Sequence, residues 1–161
     1  MISLVPLELS LIDRYLGALS PRVADLLHIS CLEQEKQYIM PYCEKNLMWP
    51  FFVILESAEG NAIGGIQIRS PEISVGQLYC WINEQYWGKG HFRAALIQAC
   101  RTFFTHNSEE SLITAHVEVT NERSYYALKK VSFCDKGIRL GSYGPEYELV
   151  LLKKFFMDTV G

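Results

Sequence analysis

Two apolar segments, residues 77–82 and 112–119, flank a glycine-bearing turn and a stretch with helical periodicity. In that stretch Phe92, Ala95, Leu96, Ala99 and Phe103 recur at i, i+3, i+4, i+7 and i+11, one face of an amphipathic helix. No other feature restricts the fold as much. A strand–helix–strand crossover of this length places its two strands parallel, with a right-handed connection. Strands are expected on either side, at 2–5, 51–55, 62–68, 133–140 and 147–152. The turn chemistry of 57–61 makes 51–68 a hairpin. The sum is a mixed α/β (α+β) fold. Its mostly antiparallel sheet has about seven strands, a central parallel pair and helices on both faces. Helices are expected over 7–19, from Ser20-Pro21 and Val23 to about Tyr42, over 92–103, and from a cap at Asn121 or Ser124 to about Val131.

At 161 residues, one domain spanning 1–161 is expected. Apolar residues make up 49% of the chain and charged residues 20%, enough to fill a core. The net charge of -3 gives no basic field for nucleic acid or an anionic membrane. No apolar run approaches the ~20 residues of a membrane helix, and the first residues, MISLVPLELS, lack a signal peptide's basic region. Cysteines 31, 43, 80, 100 and 134 form no CxxC and no Cys/His pair at metal-ligand spacing. No metal is expected, and reduced thiols fit a cytoplasmic protein.

Gln85-x-x-Gly88-x-Gly90 leads into the periodic helix. The first N–H groups of a helix have no intrahelical acceptor, and with the helix dipole they attract anions. Glycines there let phosphate oxygens come close to the backbone, but they serve a plain strand-to-helix turn equally well. A third glycine at GxGxxG spacing is missing, and so is a GxxxxGK[ST] loop, which excludes the common nucleotide fingerprints.

Gln85-x-x-Gly88-x-Gly90 resembles the Q/R-x-x-G-x-G/A signature of the GNAT family of N-acetyltransferases. The longer stretch YCWINEQYWGKGHFRAA, from Tyr79 to Ala95, is similar to the branch that acetylates ribosomal-protein N-termini (RimJ/RimL-like), in which a tryptophan such as Trp87 precedes the first glycine. AHVEVTNERSYYALKKVSF, from Ala115 to Phe133, resembles the family's strand–Asn–helix segment, with Asn121 and Ser124 at family positions. The resemblance implies acetyl-CoA as acetyl donor. Backbone N–H groups of Gly88, Lys89, Gly90, His91 and Phe92 would hold its pyrophosphate. Gln85 and Trp87 would complete the turn. Ile82 and Asn83 would pair by main chain with the pantetheine amides, and Asn121 would reach the pantetheine arm. The thioester would lie where the strand at 77–82 splays from that at 112–119. The reaction implied is direct transfer to a primary amine, without a covalent acyl-enzyme.

The departures fall in the acid/base half. Gln77 and Ala94 stand where relatives often have glutamates, Leu128 where many have a proton-donating tyrosine, and Ser132 in place of the glycine before Phe133. His116, five residues before Asn121, is the candidate base. A histidine's reference pKa of about 6.5 suits that role near neutrality. Tyr125, one turn before Leu128, is the candidate acid. An α-amine titrates at about 7.7–8.0 and needs only a modest base, so a protein or peptide N-terminus is the expected acceptor. A small amine such as a polyamine or an aminoglycoside is the alternative, and a non-catalytic acyl-CoA-binding protein is the other. The expected assembly is a monomer or homodimer. Trp81 and Trp87 are expected to pack rather than react.

Overall fold

The computed structural model describes residues 1–44, 47–72 and 75–160. Its strands are β1 (Ser3–Pro6), β2 (Phe52–Leu55), β3 (Ala62–Glu72), β4 (Val75–Ile82), β5 (Leu112–Glu118), β6 (Cys134–Gly141) and β7 (Gly144–Leu152). They form one sheet in the order β1-β2-β3-β4-β5-β7-β6. β4 and β5 are parallel over Val75–Gln77 and Leu112–Thr114, and each strand runs on past that ladder. The pairs β1–β2, β2–β3, β5–β7 and β6–β7 are antiparallel. The helices are α1 (Ile12–Ala18), α2 (Pro21–Leu26), α3 (Leu32–Ile39), α4 (His91–His106), α5 (Glu122–Lys129) and α6 (Lys153–Val160). The mixed sheet, its parallel pair and the 51–68 hairpin are as the sequence predicts.

The chain forms two compact units, residues 1–67 with 79–95 and residues 68–78 with 96 onward. In the first, Leu7, Ile12, Tyr15, Leu16, Phe51, Val53 and Trp81 belong to one buried cluster. Gly65 on β3 makes room for it: a β-carbon there would sit 2.6 Å from the Tyr15 ring and 2.8 Å from the Phe51 ring. In the second unit Phe103, Phe104 and Phe156 stack in series, with centroids 5.7 and 5.8 Å apart. On α4, Ala95, Leu96, Ala99 and Phe103 are all buried, as their spacing requires.

Three expectations change. The helix expected over 7–19 starts as a single 3-10 turn, Leu9–Leu11, before α1. The helix expected from Val23 to Tyr42 is two helices. His28 turns left-handed at φ 57 after α2, and Ser30 bonds through both its N–H and its Oγ to Gln34 Oε1, each at 2.9 Å. These local side-chain bonds outcompete a continuous helix. Finally, α6 follows β7 directly, with no glycine or proline to announce it.

Ser132 stands at a position that suits a glycine, and nothing in the structure explains the serine. It closes α5 at φ 74, with Ser132 N–H donating to Lys129 O at 3.1 Å and Phe133 N–H to Leu128 O at 3.2 Å. That is a Schellman ending with its left-handed residue at Ser132, where glycine is the residue of least strain. The two residues it brings together, Leu128 and Phe133, are buried.

Candidate active site

The glycine turn belongs to the first unit and is built from the end of β4. Asn83 is committed on three sides. Its N–H donates to Ile63 O at 2.8 Å, its Oδ1 accepts from Gln85 N–H at 2.9 Å, and its Nδ2 donates to Ala18 O at 2.8 Å. The chain then makes a 3-10 turn, Glu84–Tyr86, tied to the start of α2 by the Ser20 hydroxyl donating to Glu84 Oε2. Trp87 folds back, and its Nε1–H donates to Ile82 O at 2.8 Å. The Arg22 guanidinium lies 5.0 Å from the Trp87 ring centroid, in cation–π range. Both tryptophans therefore pack, as expected, with Trp81 buried beneath.

Gly88 and Gly90 lie at φ 75 and φ 82. An L side chain is strained there, so the turn itself demands glycine at both positions. A β-carbon built on either meets nothing within 4 Å. Packing against the protein therefore does not exclude a side chain. The turn ends at α4, whose first intrahelical bond runs from Ala94 N–H to Gly90 O at 3.1 Å. The N–H groups of the first turn have no acceptor within the helix and sit at its positive end. Lys89 adds a charge, its Nζ 5.4 Å from the Tyr86 ring centroid, and the His91 ring lies 6.0 Å from the same ring. Gln85 is exposed and Phe92 half-buried.

A feature the sequence did not disclose lies in the same unit. Glu35 on α3 is only 2% exposed. Its Oε1 accepts from the Tyr15 hydroxyl at 2.5 Å, and the Tyr79 hydroxyl donates to Oε1 and Oε2 at 3.3 and 3.4 Å. Tyr15 in turn accepts from Trp81 Nε1–H at 2.9 Å. Burial raises the Glu35 carboxyl above its ordinary value, partly offset by the two phenol bonds. Burial first, and the carboxylate beside them, raise both phenols. The one available signal is a charge four residues before Ile39 on the buried side of α3.

The remaining candidates belong to the second unit. Asn121 is the N-cap of α5, its Oδ1 accepting from Ser124 N–H at 3.3 Å, which leaves Nδ2 as the donor it can offer a ligand. Tyr125 already has a partner. Its hydroxyl donates to Asp135 Oδ2 at 2.8 Å, and that bond above all pushes its pKa up to about 12. Its ring packs against Tyr147, tilted by 41° with centroids 4.3 Å apart. His116 on β5 stands directly opposite Glu148 on β7, with Nε2 3.5 Å from Glu148 Oε2 and 3.2 Å from Arg139 Nη1 on β6. Arg139 also reaches Glu146, Nε to Oε1 at 3.3 Å. The sequence gives no sign of Arg139 here, because three strands must come into register first. Among the described residues, no group of three or more His, Cys, Asp or Glu side chains is placed to hold a metal ion. No helix among them is long and apolar enough to cross a membrane.

The family model of the GNAT acetyltransferase domain matches residues 2–133. A chimera of spermidine N-acetyltransferase SpeG from Vibrio cholerae and hSSAT is 16% identical over 98% of each chain, with a TM-score of 0.80. Spermidine N-acetyltransferase from Vibrio cholerae, solved with CoA and spermine, is 17% identical over 97% of this chain and 98% of that one, with a TM-score of 0.79. Aminoglycoside acetyltransferase AAC(6')-Ib, solved with coenzyme A and kanamycin, is 16% identical over 100% of both chains, with a TM-score of 0.79. At such identities the likeness is one of fold, and none of it singles out the ribosomal-protein branch. No curated protein matches the chain by sequence.

Proposed function

The chain belongs to the GNAT acetyltransferase family, and from that premise we propose that it transfers acetyl from acetyl-CoA to a small primary amine. The observation that carries the reading is the glycine turn. Two left-handed glycines with open space above them lead into the N-terminus of a sixteen-residue helix. That arrangement fits a pyrophosphate, which takes backbone N–H groups and a helix dipole as its partners. The N–H groups from Gly88 through Phe92 would hold it, with Lys89 as a nearby counter-charge. Of the two residues expected to pair with the pantetheine, Asn83 has its N–H spent on Ile63, and Ile82 has its carbonyl spent on Trp87, so the Ile82 N–H is the main-chain donor we assign to it.

Acetyl-CoA supplies an activated thioester. The acceptor must arrive as a neutral amine, so its ammonium proton goes first to a base, for which His116 is our candidate. The amine nitrogen then bonds to the thioester carbonyl carbon, the C–S bond breaks, the sulfur leaves with its electron pair, and the nitrogen gives up the extra proton it carries after attack as the amide forms. With its hydroxyl proton held by Asp135 and its pKa at about 12, Tyr125 is poorly matched to a thiol, whose reference value is about 8.5. We therefore assign to water the relay of the nitrogen's released proton to the thiolate.

The choice of a small amine over a peptide α-amine is supported by the substrates named for the fold neighbours. The carboxylates Glu148, beside His116, and Glu146, on Arg139, suit a cationic acceptor as well. Free-thiol release from acetyl-CoA in the presence of spermidine, kanamycin or a peptide with an unblocked N-terminus tests it. Faster release with a small amine than with the peptide is expected. Release with the peptide alone would restore the α-amine reading.

A further inference from the structure

We propose that Glu148 and Arg139 are positioning residues that set the protonation of His116 in opposite senses, and so control how it takes the acceptor's proton. The inference rests on the acetyltransfer reading above and deepens it.

Arg139 Nη1 at 3.2 Å and Glu148 Oε2 at 3.5 Å both face His116 Nε2. A guanidinium only donates, so it can bond Nε2 only while that nitrogen keeps its lone pair. An ionised carboxylate only accepts, so it can bond Nε2 only when the nitrogen carries a proton. His116 Nε2 therefore has a partner waiting in each protonation state. With Arg139 as partner, the ring is neutral with its proton on Nδ1, and Nε2 is the basic atom.

Proton removal then follows as an exchange of partners. The N–H bond of the acceptor ammonium breaks, directly or through one water, and its electron pair stays on the amine nitrogen. The proton bonds to Nε2, the ring becomes an imidazolium, and Nε2–H turns from Arg139 to Glu148. Arg139 does not lose its charge partner, because its Nε stays 3.3 Å from Glu146 Oε1. Strand register builds the device: His116 faces Glu148 across β5–β7, and Arg139 faces Glu146 across β6–β7. Glu118, two residues beyond His116, stands opposite Glu146 in the register. Glu146 and Glu148 against the one Arg139 guanidinium leave this group anionic while His116 is neutral, which favours a cationic acceptor.

The test uses the full chain and the variants Glu148→Gln, Arg139→Gln and Arg139→Lys. Two quantities are measured in each: the midpoint of the His116 ring-proton titration by NMR, assigned with a His116→Asn protein, and the acid limb of kcat/KM for spermidine. Removing an adjacent carboxylate should lower both midpoints by about 0.5–1 pH unit, and removing an adjacent guanidinium should raise both by a similar amount. Arg139→Lys keeps the charge and should stay near wild type. Shifts of the same sign, or no shift, would overturn the proposal. So would an NMR midpoint that moves while the acid limb of an active enzyme stays fixed. A wild-type protein with no turnover on any amine fails the acetyltransfer reading itself, whereas an active one with an unmoved limb fails only this one.

Discussion

A Gly90→Val protein is expected to fold and to lose more than about 100-fold of its affinity for acetyl-CoA, as two lost charge-assisted bonds would cause. Gly90 stands at φ 82, where a β-branched residue is strained by more than the 1–2 kcal/mol typical of L-residues. The local backbone then relaxes away from the left-handed conformation, and the N–H groups it aimed at the phosphates turn with it. Whatever strain remains places two methyl groups in the open space above the turn. Fold loss is not expected, since no described heavy atom lies within 4 Å of the added β-carbon. Gly137, at φ 111 on β6 with equally open surroundings, provides the control. Gly137→Val should lower stability through the same backbone strain and leave the affinity unchanged. Calorimetric titration reads the affinities, and thermal unfolding reads the stabilities. Undiminished affinity in a folded Gly90→Val protein would end the phosphate-cradle reading.

Tyr15→Phe is expected to be the costliest conservative change in the core, at about 3 kcal/mol and a Tm drop of roughly 6–12 °C at neutral pH. One hydroxyl serves two buried partners, accepting from Trp81 Nε1–H and donating to Glu35 Oε1. Its removal strands an indole N–H and takes a donor from a buried carboxylate, and unmade bonds to buried groups cost more than made ones return. The loss should depend on pH. The folded-state pKa of Glu35 lies above its ordinary 4.5. Its contribution to stability is thus fully present below that value and is lost as pH rises through the raised one. The Tyr15 bond lowers the Glu35 pKa, so without it that pKa climbs further and the ionised form is disfavoured more. The mutant should fall furthest behind wild type at neutral pH and recover part of the gap near pH 4. Denaturant unfolding across pH gives the comparison, and a pH-independent gap would mean that Glu35 does not ionise in the folded protein.

These two sites differ in how far the sequence reveals them. The turn at Gly88 and Gly90 is legible because it is local: two glycines, a strand before them and an unbroken helical period after them. The β4–β5 parallel pair follows from the same stretch, since α4 leaves no room for a hairpin. The break at His28 is hidden because no glycine or proline marks it, and the helical spacing of apolar residues runs on across it. Glu35 is hidden for another reason. A glutamate on a helix reads as a solvated charge, and only the arrival of Tyr15 and Tyr79 from distant elements makes its burial tolerable. The His116 cluster likewise needs residues 116, 139 and 148 brought together by strand register. The departures at Gln77 and Leu128 show where the family's acid/base pattern is missing, but not what replaces it. Leu128 is a core residue at 3% exposure, and its side chain has no proton to give.

On the proposed reading the glycine turn serves catalysis of acetyl transfer and not storage of an acyl-CoA. The most direct measurement incubates the protein with acetyl-CoA and spermidine and follows free thiol and acetylated amine together, by thiol detection and mass spectrometry. The account predicts that both appear with turnover, in equal amounts, and that neither appears when the amine is withheld. Tight binding of acetyl-CoA that stays intact with spermidine, kanamycin and the peptide alike would contradict it, and would mark the chain as an acyl-CoA-binding member of a catalytic family.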